Sequence, residues 1–305
     1  MKVVRHYAKM GVMGPMAKAI LHNPFSRKSY KNAYAVALEK VSPFLQEKYR
    51  GVMLERQKYY EEQSMPHVRS KMIWFCWLQG LNDAPEVVKA CYQSLCKYLA
   101  DREINVIDAQ NWKEYVELPE YVVEKWERGQ IPPAHFTDLI RLQLLIKYGG
   151  TWIDSTVLCT GKNYGEYLDA DLFLFQYTRP ESDQWGGIGN WFITACTNNE
   201  VLLVLRDMLY AYWKDYDCLL DYYIFHLFFS MLREAYPNEI AAMPYGYAVP
   251  SITLVHHWGE KFDQARWDRF TSKVCFHKLA YSVKKEVLEA EGNYYHYIVD
   301  GGWRG

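Results

Sequence analysis

The spacing of apolar residues changes near residue 66. Upstream, they recur at helical intervals, as in Tyr34-Ala35-Val36-Ala37-Leu38 and again at Val41, Phe44 and Leu45, with charges between them. Pro15, Pro24 and Pro43 are expected to divide this stretch into short helices, because proline lacks the N–H that a helix interior uses. A polar run from Glu55 to Ser64, closed by Pro66, marks a boundary. Residues 1–65 are therefore expected to form a helical extension and residues 66–305 the main domain. Beyond the boundary, Lys71-Met72-Ile73-Trp74-Phe75-Cys76-Trp77 is short, aromatic and almost continuously apolar, the pattern of a buried strand. Pro85 suits the first turn of a helix running to about Leu99, and residues 103–107 form a second strand. Strand, helix, strand at this spacing predicts a parallel pair and an α/β fold.

After a helical segment at 121–129, residues 135–148 carry apolar side chains over most of their circumference, so this helix must be largely buried. Asp138 and Arg141 nevertheless share one of its faces, three residues apart. Gly149-Gly150 ends the helix, and residues 151–158 are expected to be one strand with Asp154 at its centre. Strands at 172–175 and 190–195 follow, then helices at about 199–213 and 221–229.

Composition changes this picture little. The 26 Tyr and 11 Trp fit a protein that stacks on sugars or bases, although core filling accounts for most of them. A net charge of -1 argues against general nucleic-acid binding, which needs an excess of cations. Residues 1–58, however, hold twelve Lys or Arg against three Glu. With Met10, Val12, Met13, Met16, Ile20 and Leu21 as an apolar side, this segment could rest on anionic lipid, or be a solvated helical arm. Seven cysteines without a CxxC pair point to a reducing cytosol and not to zinc. No charged leader and no apolar run of membrane-spanning length is present. The expected location is cytoplasmic, at the inner face of the membrane.

The stretches IWFCWLQG (73–80), HFTDLIRLQLLIKYGGTWIDSTV (135–157), NWFITA (190–195), DYYIFHLFF (221–229) and FHKLAY (276–281) carry a resemblance. The sequence resembles the bacterial capsular polysaccharide synthesis proteins, relatives of glycosyltransferase family 32 and of the clostridial glucosylating toxins' catalytic domains. The resemblance covers about Lys71 to Lys278. It implies a Rossmann-like GT-A fold, a UDP-sugar donor, retention of anomeric configuration, Mn2+ or Mg2+, and a saccharide acceptor carried on lipid. A departing diphosphate needs positive charge beside it, from a metal, a protein cation or both.

The resemblance also implies roles. Asp154 is the first acid of an Asp-x-Asp motif, reaching ribose and metal, with Trp152 beside it. The second acid falls on Thr156, a neutral hydroxyl and a weak ligand for a hard cation. Asp138 and Arg141 contact the donor sugar or diphosphate, unless they form only a helix-surface ion pair. Trp77 stacks on the base with Trp74 as its core neighbour, or the reverse. Asn190 holds the sugar or merely turns a strand end. Asp221, with His226, positions the acceptor or belongs to a buried His-Tyr network. His277 ligates the metal and Lys278 neutralises the diphosphate. Two other activities fit these residues: a non-catalytic nucleotide-sugar or polysaccharide binder, and a hydrolase using Asp138 and Asp154 as paired carboxylates.

Overall fold

The structure is a computed structural model that describes residues 2–21, 26–177 and 187–304. Three helices open it: α1 (Lys2–Lys9), α2 (Met13–Leu21) and α3 (Arg27–Glu61). Two of the expected proline breaks are absent. Pro15 sits in the first turn of α2, where the missing N–H would be unpaired in any residue. Pro43 lies inside the 35-residue α3. Pro43 and Glu39, whose carbonyl loses its partner, are both exposed, so solvent can satisfy that carbonyl. The expected break at Pro24 falls outside the described residues.

The strands are β1 (Met72–Cys76), β2 (Glu103–Ile107), β3 (Gly150–Ile153), β4 (Val157–Cys159), β5 (Leu172–Gln176), β6 (Ile188–Ala195) and β7 (Phe276–Lys278). Five of them form a sheet in the order β2-β1-β3-β6-β5, while β4 and β7 pair separately. β1 runs parallel to β2 and β3, and β6 runs antiparallel to β3 and β5. The parallel β1–β2 pair is joined through α4 (Glu86–Tyr98), so the α/β class expected from the sequence is the one adopted. The expected single strand 151–158 is instead two. β3 stops at Ile153, the chain turns at Ser155-Thr156, and β4 joins a different sheet. Asp154 thus lies just past a strand end.

Between β2 and β3 come α5 (Trp112–Tyr115), α6 (Glu120–Glu127) and α7 (Pro133–Tyr148). After β6 come α8 (Glu200–Asp215), α9 (Ile224–Ala235), α10 (Pro237–Ala242) and α11 (Ala248–His257). α12 (Gln264–Thr271) precedes β7, and α13 (Lys285–Glu289) and α14 (Tyr294–Val299) follow it. The helix expected over 221–229 begins only at Ile224, which leaves Asp221 in the preceding turn.

Strand periodicity divides the interior into two cores. Trp74, Trp152, Leu172, Leu174 and Ile193 face α3, α7, α8 and α9. Ile73, Phe75, Ile153, Phe173, Phe175 and Phe192 face α4, α11 and α14. Each such large apolar side chain contributes about 1.5–3 kcal/mol by leaving water. Val41, Leu45, Tyr49 and Met53 of α3 are buried in the first of these cores, so the N-terminal helical stretch shares the interior of the main domain.

The α7–β3 junction depends on glycine. Gly149 and Gly150 both have positive φ, at 67° and 92°. A Cβ on Gly150 would lie 2.3 Å from the Met72 carbonyl oxygen. Only glycine lets β3 approach β1 this closely directly after a helix.

Candidate active site

A cleft of about 820 Å³ opens beyond the C-terminal ends of β1 and β3, the usual ligand position in open α/β sheets. Trp77 follows β1 and Asp154 follows β3. Because β6 is antiparallel, its first residues, Ile188–Asn190, reach the same end. The N-terminal half of α7 forms another wall, and Tyr222, Tyr223 and His226 lie on the far lip.

Arg141 organises the floor. Its Nη1 donates to the Asn190 carbonyl at 2.6 Å and pairs with Asp138 Oδ1 at 2.9 Å. Its Nη2 reaches Asp154 Oδ1 at 3.2 Å, and the guanidinium lies 4.6 Å from the Trp152 ring centroid. The Asn190 amide donates to Asp138 Oδ1 at 3.1 Å. Burial pushes the Asp138 carboxyl above its usual range, against the opposing pull of Arg141. Asp154 shifts the other way. Burial alone would raise it, but Lys278, Arg141 and the Trp152 N–H at 2.9 Å together hold it below the usual range.

Lys278 completes the set from β7. Its Nζ lies 3.0 Å from Asp154 Oδ2 and 2.5 Å from Thr156 Oγ1. The β4–β7 ladder sets Lys278 opposite Val157, and the Leu279 N–H donates to the Thr156 carbonyl at 2.7 Å. Alternation along β7 then turns the adjacent His277 away. His277 is fully buried and lies outside the cleft lining, with Nε2 3.2 Å from Thr160 Oγ1. Burial lowers its pKa to about 4, so it is a neutral interior histidine and not a ligand facing the cleft.

The other expected residues divide between cleft and core. Trp77 lines the cleft, 5.5 Å from the Tyr281 ring and edge-on to it, and its buried Nε1 has no partner among the described residues. Trp74 is core, donating to the Gly149 carbonyl at 2.9 Å. Trp152, Thr156 and Asn190 all line the cleft. Asp221 does not. It accepts from Ser42 Oγ at 3.2 Å and from the Tyr223 N–H at 2.8 Å, and Tyr34 Oη lies 3.5 Å away. These bonds tie α3 to the start of α9, so Asp221 is a buried structural carboxylate and the acceptor role expected for it is withdrawn. One cleft residue given no role from the sequence is His135, buried beside Asp138 with Nδ1 3.7 Å from Oδ2. Its signal was the same i, i+3 spacing that pairs Asp138 with Arg141.

The side chains fit a divalent cation poorly. Both Asp154 oxygens already receive N–H or ammonium donors, and Thr156 Oγ1 accepts from Lys278. Two unit positive charges about 4 Å apart repel by about 4 kcal/mol at an effective dielectric near 20. Among the described residues, no group of three or more His, Cys, Asp or Glu converges into a possible metal site.

A cleft of this size at the strand ends, lined by two cations, two carboxylates and aromatic side chains, sits where α/β domains commonly take their ligands. The chain belongs to the capsular polysaccharide synthesis protein family, which it matches over residues 19–298. Among solved structures, a chain titled PaToxG Glycosyltransferase aligns at 14% identity and a TM-score of 0.39. The alignment covers 64% of this chain and 80% of that one, and a likeness this loose says nothing of activity. No curated protein matches the sequence significantly.

Proposed function

We propose that this chain is a GT-A glycosyltransferase that moves a hexose from a UDP-sugar to a saccharide acceptor in surface polysaccharide synthesis, with retention at the anomeric carbon. The observation that carries the reading is the convergence of Arg141 and Lys278 on Asp154 in one cleft. Two fixed cations beside an aromatic wall match a diphosphate joined to a flat base. Trp77 is assigned to the base, Asp138 and Asn190 to sugar hydroxyls, and Asp154 to the ribose. Tyr222, Tyr223 and His226 form the acceptor lip.

In this scheme the bond from the anomeric carbon to the β-phosphate oxygen breaks, and its electron pair leaves on the diphosphate. The acceptor hydroxyl oxygen bonds to the anomeric carbon on the same face, and its proton passes to the departing phosphate oxygen. Arg141 and Lys278 stabilise the charge that develops there.

The arm is assigned a peripheral membrane contact, with one revision. Val12 is buried and Met10 and Met16 are half-buried against the first core, so that apolar side is used internally. Val4, Met13 and Leu21 remain exposed, alongside Arg5, Lys9 and Lys18. Among the described residues no helix is long and apolar enough to cross a membrane.

Incubation of the pure protein with UDP-glucose or UDP-galactose should release UDP slowly, and faster with a saccharide acceptor. If calorimetry detects no nucleotide sugar bound and no donor is consumed, the proposal fails.

A further inference from the structure

The metal implied by the family resemblance and the side chains actually present disagree, and the disagreement has a constructive reading. Resting on the transferase assignment above, we propose that the Lys278 ammonium stands where a divalent cation would, so that nucleoside diphosphate binding and donor cleavage need no metal.

Position comes first. Asp154 and Thr156 are the two side chains the motif would offer to a cation, and Lys278 Nζ contacts both, at 3.0 and 2.5 Å. The ammonium reaches them from a strand whose backbone is fastened to the same loop, so it is placed before any ligand arrives. Fixed placement is what a charge needs if it is to act without reorganising during the reaction.

Donor count comes second. An ammonium has three N–H groups, and Asp154 and Thr156 engage two, leaving one for a phosphate oxygen. Arg141 lines the same cleft and supplies a second cation. Together they offer a diphosphate two positive groups and one free ammonium N–H.

Neither Asp154 nor His277 offers a further ligand to an ion. The second oxygen of Asp154 is held by Arg141 and Trp152, and His277 lies behind the ladder. In the transfer step, the electron pair freed from the anomeric C–O bond settles on the β-phosphate oxygen that Lys278 contacts. The acceptor proton moves onto the departing phosphate, so charge and atoms balance without an ion.

The test uses the full chain and calorimetric titration with UDP and with GDP, in buffer containing EDTA and in buffer containing excess Mn2+. The nucleotide that binds should show the same Kd in both buffers to within about twofold, well under the tenfold that 1.4 kcal/mol represents. Lys278→Ala should weaken it about 10- to 100-fold in EDTA, the loss of one charged hydrogen-bonding partner. Mn2+ tightening of the wild-type Kd by about tenfold or more overturns the proposal, whether or not the variant folds. So does an unchanged Kd in a Lys278→Ala protein that melts normally. Silence toward both nucleotides in both buffers removes the transferase reading itself, and this inference with it.

Discussion

Replacing Arg141 by methionine keeps most of the side chain's apolar length and removes the guanidinium. The lost contacts are those to Asp138 at 2.9 Å, Asp154 at 3.2 Å and the Asn190 carbonyl at 2.6 Å, with the Trp152 stacking. Asp154 keeps Lys278, but among the described residues Asp138 is left with the Asn190 amide and a histidine at 3.7 Å. A buried carboxylate stripped of its cation costs about 3–5 kcal/mol, and in a chain of this size that lowers Tm by roughly 5–8 °C. The sign with pH follows from the two shifts. The Asp138 pKa is already raised, and losing Arg141 raises it further. A raised carboxyl destabilises the fold above its folded pKa, and the penalty disappears below its unfolded value near 4. The lowered Asp154 pKa contributes stability above the unfolded value, lost as pH falls through the folded one, and the variant gives part of this up. The Asp138 effect makes the stability gap between wild type and variant widest near about pH 7 and narrower toward about pH 4, whereas the Asp154 effect persists to about pH 4 and is lost only below it. Urea unfolding followed by tryptophan fluorescence across that range measures the gap. A gap under about 1 kcal/mol at neutral pH, or one indifferent to pH, refutes the electrostatic account of the cleft floor.

Four further outcomes follow from the same geometry. Gly150→Ala should lower stability by at least about 1–3 kcal/mol in thermal melts, since it forces an unfavourable φ and a contact with the Met72 carbonyl. Asp221→Ala should cost about 2–3 kcal/mol by stranding Ser42 Oγ and the Tyr223 N–H, yet leave nucleotide affinity unchanged; a selective loss of affinity would return Asp221 to the cleft. His277 has a lowered folded pKa, so the unfolded chain protonates first; wild-type stability should fall by about 3 kcal/mol between about pH 6.5 and 4, and His277→Gln should show a correspondingly flatter urea-midpoint profile. Replacing Arg5, Lys9 and Lys18 by glutamine should weaken sedimentation with phosphatidylserine vesicles roughly 100-fold, at about 1 kcal/mol per charge, and equal binding by both proteins would end the membrane assignment.

What could be read from the sequence was whatever local spacing determines. The α7 face with Asp138 and Arg141, the Gly149-Gly150 junction and the βαβ unit are all written in fewer than fifty consecutive residues, and each stands as expected. The misreadings involve partners distant along the chain. Asp221 stayed open between an acceptor contact and a buried network because Ser42 and Tyr34, about 180 positions earlier, could not be placed beside it. Pro43 looked like a break because the packing that holds α3 continuous comes from α8 and α9. Val12 looked available to lipid because its burial depends on a tertiary contact. His277 and Lys278 were both expected in the site, as metal ligand and diphosphate cation, because the pairing with β4 that turns only Lys278 to the cleft was not legible.

That last dependence makes the short β4–β7 ladder a point of chemical leverage. Side chains alternate along it, so inserting a single residue ahead of Phe276 would carry His277 into the place of Lys278 and present an imidazole instead of the ammonium. A charge that is constant through the physiological range would become one that comes and goes with acidity. A drift of one position, with no new residue type introduced, is enough to turn a constitutive pocket into a proton-sensitive one.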